Sequence, residues 1–106
     1  MTIKDKNIAN AILKKIKEIN PNAEVILYGS RARGDYNPHS DWDILILLND
    51  LKVNLENEQI FRHHIFDLEL EIGEPISIMV RSKNDWEENY SVTPLYKSIK
   101  GEGITL

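Results

Sequence analysis

The chain has 106 residues, 42% apolar and 28% charged, with a formal net charge of −4 and no cysteine. That length suits one domain, expected over residues 1–106, with a modest core, and the composition is that of a folded chain. The acidic balance argues against a dedicated nucleic-acid binder, and the lack of cysteine excludes disulfides, thiolate metal sites and a cysteine nucleophile.

A cytoplasmic setting is expected. The N-terminal stretch is polar, without the apolar core of a signal peptide, and the longest apolar run, Ile44 to Leu48, is too short to span a bilayer. Residues 3–19 are predicted to form an amphipathic helix, because Ile8, Ile12, Ile16 and Ile19 recur at steps of three and four. Asn20-Pro21-Asn22 stops it. A strand over 24–28 runs into Gly29, and Ser30 stands at the N-cap position of a short helical turn, Arg31-Ala32-Arg33, closed by Gly34. Asn37-Pro38 marks a turn within the polar loop 35–40. The strand over 42–48 is apolar on both faces beyond Asp43, which predicts a central strand covered on both sides and ended by Asn49-Asp50.

A second long helix is predicted over 54–72 and ends at Gly73. Pro75 opens a strand over 76–80, and a short helix follows at 86–90. Thr93-Pro94 starts a helix to about residue 100, which Gly101 and Gly103 end. Residues 104–106 read as a terminal strand or a tail. The order implies an α+β, or α/β-like, domain with a small mixed sheet.

Chemistry concentrates between residues 29 and 43. A strand feeding a helical N-terminus directs unpaired N–H groups at one spot, which suits phosphate. Arg31 and Arg33 add guanidinium forks matched to phosphate oxygens. The turn is neither a Walker A loop, since Gly34 precedes Asp35 rather than lysine and a hydroxyl, nor a Rossmann fingerprint. Asp41 and Asp43 alternate with Trp42, so both carboxylates face one side of a strand. Like charges so placed are tolerated in solvent or around a divalent cation, and hard oxygen donors suit Mg2+ or Mn2+. Either feature alone is common.

Together they resemble the nucleotidyltransferase superfamily that includes DNA polymerase β, and most of all its minimal nucleotidyltransferase (MNT) domains. The resemblance rests on Gly29-Ser30, Arg33-Gly34 and Ser40-Asp41-Trp42-Asp43. It implies a polymerase-β-type core, with a small mixed sheet and helices packed mainly on one face. It implies that Gly29 and Ser30 hold the β- and γ-phosphates of an NTP, in first place ATP. Arg33 would support the turn or neutralise phosphate, and Ser40 belongs with the nucleotide-binding set. Asp41 and Asp43 would be the catalytic residues and the ligands of Mg2+ or Mn2+. The expected reaction passes an NMP, in first place AMP, to a hydroxyl of a protein or small molecule. The resemblance also implies a HEPN-type helical partner, with this chain as antitoxin, or a homodimer; neither a membrane nor a nucleic acid is expected as partner.

One position departs from the pattern. Active members carry a third acid on the neighbouring strand, where Ile76 to Val80 offers Ser77 instead. Glu71 and Glu74, just upstream, are the carboxylates left to supply it. The alternative is therefore a catalytically impaired nucleotide- or partner-binding module. His63 and His64 are adjacent on a helix and cannot share one metal, His39 reads as a solvated loop residue, and Trp42 and Trp86 read as packing aromatics.

Overall fold

The computed structural model describes residues 1–49 and 52–106. Asp50, expected to help end the second strand, lies outside the described residues. The elements are α1 (Ile3–Ile19), β1 (Glu24–Tyr28), α2 (Ser30–Arg33), β2 (Trp42–Leu48), α3 (Leu55–Ile72), β3 (Ile76–Ser82), α4 (Lys83–Asn89), α5 (Pro94–Glu102) and β4 (Ile104–Thr105). The sheet order is β3-β2-β1-β4, with β2 and β3 parallel and the other pairs antiparallel. It is the mixed sheet of an α+β domain, and β2 is its central, buried strand, as the apolar run predicted.

The periodicity of the strands sorts the core. Trp42, Ile44, Ile46 and Leu48 of β2 face the two long helices, where Ile12, Ile16 and Ile65 meet them in the larger cluster. Leu45 and Leu47 face the other way and pack with Trp86 of α4 and Tyr96 and Ile99 of α5 in a smaller cluster. The long helices thus cover one face and two short ones part of the other. Ile65 is 1% exposed at the centre of the larger cluster. Ile65→Ala is expected to cost about 2–5 kcal/mol, read as a lower urea midpoint.

Local chemistry explains the helix ends. Thr2 accepts from the Asp5 N–H at the start of α1, and Asn54 and Asn57 form a reciprocal capping box at the start of α3. Gly73 ends α3 in the left-handed region. Several boundaries differ from the sequence reading. The third strand runs on to Ser82, and α4 begins at Lys83, capped by the Ser82 side chain. Gly101 lies inside α5, whose cap is Gly103. Residues 104 and 105 form a strand on the outer side of β1. No helix among the described residues is long and apolar enough to cross a membrane.

Candidate active site

The candidate site lies where β1 ends and β2 and β3 begin. Gly29, not Ser30, is the N-cap of α2; Ser30 is the first helical residue. Gly29 has φ 76°, a left-handed value that glycine adopts without strain. Its missing side chain matters as much. A Cβ added there would lie 2.3 Å from Oδ2 of Asp43 and 3.2 Å from its carboxyl carbon. The Asp43 carboxylate therefore packs against the bare glycine, which brings the phosphate-type turn and the first acid of β2 into contact.

Asp43 pairs with Tyr28 on one side and with Ser77 on the other. Asp41 precedes the strand and is exposed; Ser77 Oγ donates to its Oδ2 at 3.4 Å. Asp41, Asp43 and Ser77 thus meet at the sheet end. Burial pushes the Asp43 carboxyl above its ordinary value, the Asp41 charge adds to the effect, and Arg33 opposes it. The Tyr28 hydroxyl is raised too, first by burial and then by Asp43.

The Asp43 shift has a consequence for stability. A raised folded-state pKa means that the folded chain binds this proton more tightly than the unfolded chain. The resulting stabilisation is complete below the unfolded value and is lost as pH rises through the higher folded value. Ionised Asp43 thus destabilises the metal-free fold at neutral pH. Asp43→Asn is expected to melt higher than wild type at neutral pH, with the gap closing below about pH 3.9. A lower melting temperature for Asp43→Asn at neutral pH would contradict this.

Two arginines expected at the phosphate part company. Arg33 is exposed and reaches Asp35 at 3.2 Å and Glu102 at 3.2 Å. Such exposed pairs are weak, so a phosphate can compete for the guanidinium. Arg31 is instead 4% exposed and points away from the site. Its guanidinium stacks between Tyr36, 4.8 Å away, and Trp42, 4.5 Å away. Asp5 and Glu74 lie 3.6 and 3.9 Å from it. Residues two apart on a helix face opposite directions, so only one of the pair can meet the ligand.

Glu74 and Glu71 do not supply the third acid. Glu74 accepts from the Trp42 indole N–H at 3.2 Å. Trp42 belongs to the face opposite Asp43, and Glu74 is held there with it. Glu71 lines a groove with Lys14, Lys15 and Glu18, in the layer of the long helices. Among the described residues no three acidic or histidine side chains form a metal cluster. Ser77, directly beside Asp43, occupies the third corner.

The remaining residues fall as follows. The Ser40 hydroxyl accepts from the Asn37 N–H at 3.1 Å and closes the loop before Asp41. His64 meets Glu18 at 2.9 Å, His63 lines a groove beside β3, and His39 is exposed. Sequence reasoning missed Asp5 and Tyr36, which hydrogen-bond to each other beneath the loop. That bond lowers the Asp5 carboxyl. The available signal was that Asp5 falls in step with Ile8, Ile12 and Ile16 on the buried stripe of α1.

The donor set suits a hard divalent cation. Asp41 and Asp43 offer carboxylate oxygens, Ser77 offers a hydroxyl, and the exposure of Asp41 leaves room for water and phosphate oxygens. Magnesium or manganese fits such a site if a nucleotide completes the coordination.

Comparison with known proteins shows the family and the fold. A Methanocaldococcus jannaschii protein named as a protein adenylyltransferase is 47% identical over 38 residues, 36% of this chain and 38% of that protein. The match thus spans well under half of the relative. Two crystal structures share the fold. One, a toxin–antitoxin with AMP-PNP, has a TM-score of 0.65 at 18% identity, covering 91% of this chain and 69% of the other. The second, a mutant of the MntA–HpeT toxin–antitoxin, has a TM-score of 0.64 at 19% identity, covering 92% and 70%. The sequence profile of the nucleotidyltransferase domain matches residues 9–105, nearly the whole chain. With a phosphate-type turn packed on the Asp43 carboxylate, this chain belongs to the nucleotidyltransferase domain family.

Proposed function

We propose that the domain binds a metal–nucleoside triphosphate and passes its nucleotidyl group, AMP from ATP, to a hydroxyl acceptor. The observation that carries this reading is the contact of Asp43 with Gly29, which sets a carboxylate against the turn that would receive phosphate. The N–H groups of Ser30 and Arg31, in the first turn of α2, have no partner four residues back and can face the β- and γ-phosphates. Asp41 and Asp43 would hold Mg2+ or Mn2+, which when bound supplies charge neutralisation on the triphosphate. Arg33 would exchange Asp35 and Glu102 for a phosphate oxygen. The acceptor oxygen attacks the α-phosphorus in line as its proton passes to solvent, the bond to the bridging oxygen breaks, and pyrophosphate leaves.

A toxin–antitoxin role, with this chain as antitoxin to a HEPN-type protein that carries the acceptor hydroxyl, is the partner reading we favour over a homodimer. It is supported by the fold shared with toxin–antitoxin structures. A second reading rests on Ser77. With a hydroxyl where an acid is expected, no third anionic ligand to a metal at Asp41 and Asp43 is found among the described residues, and none that would take the acceptor's proton. The domain would then bind the metal–nucleotide and transfer slowly or not at all.

Calorimetric titration with a non-hydrolysable ATP analogue, with Mg2+ and with EDTA, tests the part common to both readings. Saturable binding that needs Mg2+ supports them. The absence of such binding contradicts both.

A further inference from the structure

We infer that Arg31 is a positioning residue that fixes Asp41 at the sheet end. The inference rests on the reading of Asp41 and Asp43 as the metal-binding pair. Asp41 lies outside β2 and its side chain is exposed, so neither strand pairing nor packing holds it, and the one bond its carboxylate receives, from Ser77 Oγ, is long at 3.4 Å. It is bracketed by two backbone anchors. On one side the Trp42 N–H donates to the Pro75 carbonyl at 3.0 Å. On the other the Arg31 Nε–H donates to the Ser40 carbonyl at 3.1 Å, which belongs to the peptide joining Ser40 to Asp41.

The surroundings of Arg31 suit a rigid strut. Tyr36 and Trp42 sandwich its plane, and Asp5 and Glu74 flank its two ends. Nη2 is buried and makes no hydrogen bond, so the guanidinium is not placed to satisfy every donor. Stacking and the Nε–H bond set its orientation. A planar fork is needed for both; a lysine ammonium in the same space keeps the charge and loses the plane and the Nε donor. The other ties of loop 35–40 to its surroundings run through side chains at its start, Arg33 to Asp35 and Tyr36 to Asp5, while its Ser40 end is joined only to Asn37 within the loop. Without Arg31 the Ser40 end of the loop can shift, carrying Asp41 with it.

The test is Mn2+ binding, followed by electron paramagnetic resonance in the presence of a non-hydrolysable ATP analogue. Arg31→Lys is expected to weaken Mn2+ about 10-fold, in the range seen when a ligand's supporting partner is removed. In an Asp41→Ala background the same change is expected to have no further effect, because Arg31 acts through Asp41. Leu68→Ala, a core change remote from the loop, is expected to lower the melting temperature and leave Mn2+ affinity unaltered. Unchanged Mn2+ binding in Arg31→Lys, an equal loss in Leu68→Ala, or a full further loss in the Asp41→Ala background would each overturn the inference. Should Arg31→Lys not fold, Tyr36→Leu, which removes the ring beside the guanidinium, is compared with Tyr36→Phe, which keeps the ring and loses only the bond to Asp5. Weaker Mn2+ binding in Tyr36→Leu than in Tyr36→Phe supports the inference, and equal binding in the two overturns it. If wild type itself binds no Mn2+, the metal-site reading fails, and the role of Arg31 falls with it.

Discussion

Asp43→Ala is expected to abolish nucleotidyl transfer, with a loss on the order of 10³-fold or more. The reasoning starts from geometry. Asp43 touches both halves of the site: its carboxylate packs on Gly29, and its strand position is paired with Ser77. A divalent metal held by this carboxylate would supply several kcal/mol of charge stabilisation, and about 1.4 kcal/mol corresponds to each decade of rate. The fold should survive the substitution. Asp43 sits at a strand end, and burying its charge opposes folding at neutral pH, so its removal relieves repulsion from Asp41. Loss of transfer with an unchanged or higher melting temperature is therefore the expected pair of results. Loss of transfer through unfolding would be the wrong pattern.

Ser77→Asp is the second large effect, and its direction is opposite. Ser77 is exposed, lies beside Asp43 in parallel register and touches Asp41. An aspartate there adds a third carboxylate without needing to displace buried side chains. In the absence of metal three like charges repel, so the variant should melt lower than wild type without Mg2+ and recover when Mg2+ and nucleotide are added. A positioned carboxylate can also accept the acceptor's proton, worth about 10²-fold at the low end for general-base catalysis. A gain of that order is expected in pyrophosphate release measured with acceptor present. If Ser77→Asp transfers no faster than wild type, the serine is not what limits the site.

Much of the site was legible because spacing carries it. Asp41 and Asp43 share a face by strand alternation, and Gly29 marks the turn where β1 ends. The central position of β2 followed from its unbroken apolar run. Arg31 was misread because its position in a helical N-terminus looks the same as that of Arg33. Only the packing of Tyr36, Trp42 and Asp5, drawn from three separate parts of the chain, decides which arginine turns inward. Glu74 was misjudged for a related reason. Its place in sequence is just before β3, but a hydrogen bond to the Trp42 indole takes it to the opposite face from Asp43. The pairing of β4 with β1 joins residues far apart in sequence, and a two-residue strand has no period to read. The Ser77 position was legible only through the family resemblance, and the parallel pairing of β2 and β3 that sets it beside Asp43 is visible in the structure alone.

The most direct measurement is transfer of label from α-phosphate-labelled ATP to an acceptor, with Mg2+, by wild type, Asp43→Ala and Ser77→Asp side by side. The proposed HEPN-type partner serves as acceptor. The nucleotidyltransferase reading predicts labelling that rises from wild type to Ser77→Asp, disappears in Asp43→Ala and is matched by pyrophosphate release. Equal labelling by wild type and Asp43→Ala would contradict it.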